Sequence, residues 1–295
     1  MNYRTLVDAL TPMKGRGEAR AIARMVMEEA FGLSQTDILM GRDEELSIIK
    51  REELQKIASR LLEGEPVQHI IGHTYFCGHK LRVTRDVLIP RPETEELAEW
   101  AITTAAQRGD EPTVIDLCTG SGAIAIALSK ALPHANVHAV DISSAALDIA
   151  AQNISSNEAQ VTLHNLDVLY ADVTATALPQ ADVIVSNPPY VRSSEAADMD
   201  ATVLDHEPHL ALFVPDADPL LFYRAIAETA VRLLKPGGSV LAELNANLAT
   251  ATCELFDGFG FTNIELRKDI FGRDRMLRCN ALQNLGRKET KPQQK

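Results

Sequence analysis

Hydrophobic and polar positions alternate along this chain in two distinct rhythms. Apolar residues recur at helical spacing in GEARAIARMVMEEAFG (17–32), which closes on Gly32, and again in REELQKIASRLLEG (51–64). Ser34-Gln-Thr-Asp37 reads as a helix start, with an acid three places after a hydroxyl. The first seventy residues therefore predict a small helical bundle. At Pro66 the pattern shifts to branched and aromatic residues, and Cys77-Gly-His-Lys80 between two alternating runs predicts a hairpin. A proline-led helix follows in PRPETEELAEWAI (90–102). From Thr113 strands and helices alternate. TVIDLC, ANVHAVDI, QVTLHNLDV, ADVIVSN and GGSVLAEL are strands; GAIAIALSKAL, SSAALDIAAQNISSN and DPLLFYRAIAETAVRLL are helices. That rhythm predicts an α/β fold with a doubly wound parallel sheet, because parallel strands need crossover helices. FTNIELRKDI and DRMLRCNAL lack a helix between them and are expected to pair antiparallel at one edge.

Composition narrows the class. With 295 residues, 45% hydrophobic and 24% charged, the chain matches a soluble globular protein with a large core. No apolar run approaches the roughly 18 residues of a membrane span, and residues 1–20 have no hydrophobic signal core. The four cysteines form no Cys-x-x-Cys pair and read as free thiols of a reducing compartment. Together these predict a cytoplasmic protein with no membrane partner. Residues 91–282 carry 12 basic and 27 acidic side chains, a net of −15, whereas residues 1–90 are neutral. An acidic main domain repels a phosphate backbone, so no direct nucleic-acid binding is expected. The polar tail, residues 283–295, reads as disordered.

Asp116-Leu-Cys118-Thr119-Gly120-Ser121-Gly122 joins the first strand of the alternating region to its helix. Glycines there permit a sharp turn and close approach to a ligand. GSGAIA also fits the dinucleotide fingerprint Gly-x-Gly-x-x-Ala, so the loop alone does not choose the ligand. Asp141 ends the next strand about twenty residues on, where a carboxylate would accept from ribose hydroxyls. Asp116 would crowd a pyrophosphate but suits an amino group, held directly or through water. Asp167, ending the third strand beside Val168, is either an acceptor for an adenine amine or a plain loop carboxylate. Three acids about one pocket favour S-adenosylmethionine, a cationic nucleoside, over an anionic dinucleotide.

Asn187-Pro188-Pro189-Tyr190 ends the fourth strand, at the edge where open α/β sheets bind ligands. A conjugated NH2 group is a poor nucleophile because its lone pair is delocalised. Acceptors aimed at both N–H bonds would hold the nitrogen and favour a pyramidal geometry. The Asn187 side-chain oxygen and the Pro188 carbonyl can serve, preorganised by the two prolines. Tyr190 offers a flat wall for the planar group. No strong base is needed, because the methyl donor brings its own leaving group.

These residues resemble the Asp/Asn-Pro-Pro-Tyr amino-methyltransferases, and in particular the protein-(glutamine-N5) methyltransferases of peptide chain release factors. The resemblance spans almost the whole chain: EPVQHIIGHTYFCGHKLRV, VLIPRPETEEL, DLCTGSGAIAIAL, SNPPYV, EPHLAL, LKPGG and DIFGRDR. It implies a class I, Rossmann-like seven-stranded methyltransferase fold, with S-adenosylmethionine as cofactor and the glutamine of the release factors' Gly-Gly-Gln loop as substrate. It implies a helical substrate-binding domain over 1–73, a hairpin linker over 74–90 and a methyltransferase domain over 91–282. Carried over by motif, Cys118 to Gly122 hold the donor with Asp141 on the ribose, and Asp167 and Val168 lie beside the adenine. Asn187 to Tyr190 hold the glutamine, and Asn187 also lines the donor site. Two departures stand out. Cys118 occupies a position where many members have glycine, so the loop is expected to need less backbone freedom there. Glu243-Leu-Asn-Ala-Asn247 lacks the Gly and Gln expected after the fifth strand. Neither departure is expected to touch the Asn187–Tyr190 turn.

Rival readings are an adenine-N6 methyltransferase on DNA or RNA, which shares the Asn-Pro-Pro-Tyr turn, and a non-catalytic nucleoside-binding adaptor. The first predicts steeply salt-dependent binding; the second predicts that Asn187→Ala changes nothing. His206 and His209 in DHEPH have a spacing open to a metal reading, but Pro208 breaks the helix that would aim both rings together. His69 and His73 are expected to flank a strand in packing or surface roles. Arg91 and Glu93 either close over the donor, contact the protein substrate, or simply start a helix.

Overall fold

A computed structural model describes residues 1–282, with Val173 as backbone only. The tail read as disordered, 283–295, lies outside the described residues. The chain divides into two compact units.

One unit comprises Met1–Thr74, Arg82–Ile89 and Asp198–Pro208. Its helices are α1 (Tyr3–Phe31), α2 (Gln35–Leu39), α3 (Ile48–Leu62), α4 (Val67–Ile71) and α9 (Ala201–His206). α1 starts earlier than the periodicity indicates, and its backbone leaves helical geometry at Gly15. The Ser34 side chain accepts from the Asp37 N–H and the Asp37 side chain accepts from the Ser34 N–H, a capping box at the predicted start. Ala19, Ala23, Val26 and Met27 of α1 meet Leu54, Ile57, Ala58 and Leu61 of α3 in a core of its own. These are the positions that the three-and-four spacing marks. The segment 198–208 joins through Lys14, whose Nζ donates to Thr202 Oγ1 at 3.1 Å. Glu207 Oε2 likewise accepts from the Ile89 N–H at 3.0 Å.

The strands β1 (His73–Phe76) and β2 (His79–Arg82) form the predicted hairpin. The second unit comprises, among the described residues, Tyr75–Leu81, Pro90–Ala197 and 209–282. Its strands are β3 (Thr113–Leu117), β4 (Asn136–Asp141), β5 (Val161–Asn165), β6 (Ala181–Ser186), β7 (Val191–Arg192), β8 (Phe213–Val214), β9 (Leu234–Glu243), β10 (Thr262–Lys268) and β11 (Asp274–Asn280). Its helices are α5 (Pro92–Ala106), α6 (Ala123–Ala131), α7 (Ser144–Ser156), α8 (Ala171–Ala177), α10 (Leu221–Leu233) and α11 (Ala249–Gly258). Seven strands make one sheet in the order β10-β11-β9-β6-β3-β4-β5. β9, β6, β3, β4 and β5 are parallel; β11 runs antiparallel to both β9 and β10. The expected antiparallel pair is present, with β11 inserted between its partner and the parallel strands.

Strand alternation divides the core. Val114, Val183, Val185 and Leu241 face α5 and α6 on one side. Ile115, Ile184, Val240 and Ala242 face α10 and α11 on the other. Every residue of β3 and β6 is buried, which is why both read as continuous apolar runs. The chain leaves β3 toward β4 and β5, then returns to β6 on its other side. That reversal is a topological switch point, where open sheets bind ligands. α8, α9 and α11 were not legible in the sequence: the first two are short, and α11 lies in a stretch with few large apolar residues.

Candidate active site

Register brings the predicted residues together. Leu117 stands beside Val140 on one side and Ser186 on the other. The next residues in each strand direction, Cys118, Asp141 and Asn187, therefore emerge at one edge. Asn165 pairs with Asp141, so Asp167 follows at the same edge.

The donor-side loop is shaped by its backbone. Cys118, Gly120 and Gly122 have φ of 61°, 55° and 81°, all left-handed. The expectation that Cys118 relaxes the need for backbone freedom is thus incorrect: the conformation is kept, and cysteine adopts it at a steric cost of roughly 1–2 kcal/mol. A Cβ on Gly122 would lie 3.3 Å from Ala150 Cβ, so glycine also permits close packing on α7. A Cβ on Gly120 would meet no protein atom within 4 Å, which leaves room for a ligand to approach the main chain. Thr119 N donates to the Val140 carbonyl and Gly120 N to Asp141 Oδ2, at 2.9 and 2.8 Å. Asp141 Oδ1 accepts from the Ser143 N–H at 2.9 Å.

Asp116 is fully buried. Its Oδ2 accepts from the Thr119 hydroxyl at 2.6 Å, while Oδ1 has no partner at hydrogen-bonding geometry. Burial pushes its pKa up to about 7, against the Thr119 hydroxyl and the Ala125 N–H, which favour the charged form. In this conformation Asp116 orders the loop through Thr119, and its carboxylate is not exposed for the direct contact with an amino group considered above. Burial also raises Asp141, opposed by the N–H groups of Ser143, Gly120 and Ile142. Burial, then the charges of Asp141, Asp116 and Asp167, push the Cys118 thiol far up. The three acids are therefore close enough to act on one atom. Asp167 Oδ1 accepts from the Leu169 N–H at 2.9 Å, and Val168 is buried.

On the acceptor side, Pro188 and Pro189 are buried and Asn187 and Tyr190 half-buried. Asn187 Nδ2 donates to Thr94 Oγ1 at 3.1 Å, and the Thr94 hydroxyl donates to Glu243 Oε2 at 2.7 Å. The Tyr190 hydroxyl donates to Glu243 Oε1 at 2.8 Å and accepts from Arg275 Nη1 at 3.4 Å. Asn245 Nδ2 donates to the Tyr190 carbonyl and to Glu195 Oε2, at 3.2 and 3.0 Å. The Arg192 guanidinium, with backbone and amide donors, holds Glu195 down to about 2. No donor among the described residues hydrogen-bonds to Asn187 Oδ1 or the Pro188 carbonyl. The stretch 243–247 does touch the turn, contrary to expectation, through both Glu243 and Asn245. Sequence reading missed Thr94 and Arg275 altogether; each sits in a motif quoted above, but nothing in its spacing points to Asn187 or Tyr190.

Other candidates resolve as structure. His69 lies buried inside α4 rather than beside a strand, and His73 begins β1, its Nε2 2.7 Å from Glu29 Oε2. His206 ends α9 with its Nδ1 3.0 Å from Arg85 Nη2. Among the described residues no group of three or more His, Cys, Asp or Glu is placed to hold a metal ion. Pro92 occupies the first turn of α5 behind Arg91 at its N-cap, with Glu93 and Glu95 following, as a helix start requires.

A seven-stranded sheet of this order, with a glycine loop after β3, an acid after β4 and Asn-Pro-Pro-Tyr after β6, defines a class I methyltransferase. A profile described as Methyltransferase small domain matches residues 101–206, and one described as PrmC N-terminal domain matches 8–72. Release factor glutamine methyltransferase of Bacteroides thetaiotaomicron is 45% identical over 264 residues, 89% of this chain and 93% of that protein. The protein of the same name from Flavobacterium psychrophilum is 40% identical over 95% of this chain and 98% of its own length. A solved structure titled protein-(glutamine-N5) methyltransferase (release factor-specific), from Alicyclobacillus acidocaldarius, shares 30% identity. It covers 68% of this chain and 99% of that chain, with a TM-score of 0.43. The chain belongs to the release factor glutamine methyltransferase family.

The cofactor of this class is S-adenosylmethionine, and the residues fit it. No lysine or arginine stands in 116–122, 141–143 or 165–168 to hold a pyrophosphate. Asp141 and Asp167 instead stand at the strand edge beside the space left open at Gly120, with Asp116 buried behind the loop that Thr119 ties to it. That donor set suits a ligand carrying ammonium and sulfonium charge. Among the described residues no helix is long and apolar enough to cross a membrane.

Proposed function

We propose that this protein methylates the side-chain amide nitrogen of the glutamine in the Gly-Gly-Gln loop of peptide chain release factors, in the cytoplasm. S-adenosylmethionine supplies an electrophilic methyl group with a thioether leaving group. Asn187 Oδ1 and the Pro188 carbonyl accept the two N–H bonds of the substrate amide, and Tyr190 packs on its plane. Held between two acceptors, the nitrogen loses planarity and its lone pair is freed from conjugation. The surplus proton leaves after transfer, so no strong base is required. Positioning and fixed dipoles then carry most of the rate. On the donor side, Asp141 takes the ribose hydroxyls and the 118–122 loop presents its backbone, with Asp167 and Val168 beside the adenine. The helical N-terminal segment grips the protein substrate.

The observation that supports this reading is the pair of acceptors at Asn187 and Pro188 to which no donor among the described residues hydrogen-bonds, beside an acid-lined loop. The test incubates the protein with labelled S-adenosylmethionine and a release factor, with adenine-containing DNA as a parallel arm. Label on the Gly-Gly-Gln glutamine is expected. Label confined to adenine, or absent from both, would refute the proposal.

A further inference from the structure

We infer that Glu243 and Thr94 set the orientation of the Asn187 amide, and so decide that its oxygen, not its NH2 group, faces the substrate. An amide oxygen and nitrogen are nearly the same size, and a side chain flipped about its last torsion fills the same space. Shape alone therefore does not choose between them. Hydrogen-bond polarity does.

The chain of donors runs one way. Glu243 has 2% of its surface exposed, and both carboxyl oxygens are occupied as acceptors. Burial raises its pKa, while the Thr94 and Tyr190 hydroxyls and the Arg275 charge oppose that and favour the carboxylate. Arg275 has only donors, so the contact from its Nη1 makes the Tyr190 oxygen an acceptor. The one hydroxyl proton of Tyr190 then points at Glu243 Oε1. Thr94, 4% exposed, likewise gives its one proton to Glu243 Oε2. Its oxygen can now only accept on the remaining side, and the group it faces is Asn187. Asn187 must present NH2 to Thr94, which turns Oδ1 the other way. An inverted amide would set two acceptors against each other in a dry site. Donation from Asn187 through Thr94 to a carboxylate also draws electron density onto Oδ1, because linked hydrogen bonds polarise one another. Glu243 and Thr94 are thus positioning residues. Neither touches the substrate; both act through Asn187, and Glu243 also through Tyr190.

The kinetic part of the test rests on the proposed reaction; the spectroscopic part does not. Thr94→Val keeps the shape and removes the hydroxyl, and Thr94→Ser restores it. Thr94→Val is expected to lower kcat about 10- to 100-fold, the range for losing an orienting partner behind a functional side chain. Donor affinity stays unchanged and Thr94→Ser recovers most of the rate. Protein labelled with 15N-asparagine gives a side-chain signal for Asn187, identified by its loss in Asn187→Asp. That signal is expected to shift and exchange faster with water in Thr94→Val and in Glu243→Gln, and to keep its place in Thr94→Ser. A parent enzyme that leaves the release factor unmethylated would refute the reaction, and the Asn187 signal would still decide the inference. A signal unmoved in Thr94→Val, or a serine variant as slow as the valine one, would overturn it.

Discussion

The two sides of the site are held by different forces. On the donor side, the 118–122 loop is set by left-handed backbone at Cys118, Gly120 and Gly122 and by main-chain contacts to Val140 and Asp141. On the acceptor side, Asn187 and Tyr190 are set by side-chain hydrogen bonds that converge on one buried carboxylate, Glu243. A loop that must approach a ligand with its backbone needs permissive residues, and these leave a mark in the sequence. A side chain that must show one end of an amide needs fixed polarity, and the groups that fix it come from elsewhere in the chain.

The comparison breaks most sharply at Asn187. Asn187→Ala is expected to reduce kcat about 10²- to 10³-fold, the usual cost of one preorganised hydrogen-bonding group, while calorimetry finds donor affinity little changed. Near-parental turnover would mean that the acceptor side does not carry the chemistry. Next comes Asp116, whose pKa rises on folding from 3.8 to about 7. An acid raised in this way lends stability that is complete below its unfolded value and is lost as pH rises through the folded value. The parent's stability relative to Asp116→Asn should therefore fall between about pH 4 and pH 7 and level off above, as thermal unfolding across that range would show. A flat difference would place the charge somewhere better solvated than the structure has it.

Gly122→Ala strains a left-handed residue and presses a methyl group on Ala150, so a loss of about 1–3 kcal/mol is expected, together with weaker donor binding. Melting temperature and donor titration report the two effects separately. The smallest effect belongs to Cys118→Gly. Relief of left-handed strain outweighs glycine's extra chain entropy by only about 0.5 kcal/mol, and donor affinity holds. A clear destabilisation would show that the thiol's packing against the core matters more than the backbone.

Much of this was readable beforehand, for local reasons. β3 and β6 are buried on both faces and so appear as unbroken apolar runs. The glycines of the loop and the prolines after Asn187 announce themselves because each of these residue types carries a strong torsional preference of its own. Cys118 misled, since a cysteine can be forced into a glycine-like conformation by its neighbours and the sequence gives no sign of it. Glu243 drew notice only as part of a departure from the family pattern; its role appeared once its two oxygens were seen to be shared.

By itself the sequence determined the order of the seven sheet strands and the longer helices between the parallel ones, the acid-lined loop and the Asn-Pro-Pro-Tyr turn, because periodicity and torsional preference act over a few neighbouring residues. Tertiary structure decided where β11 inserts and which way Asn187 points. Thr94 lies 93 residues from Asn187 and 149 from Glu243, and a hydrogen bond's direction exists only when donor and acceptor meet.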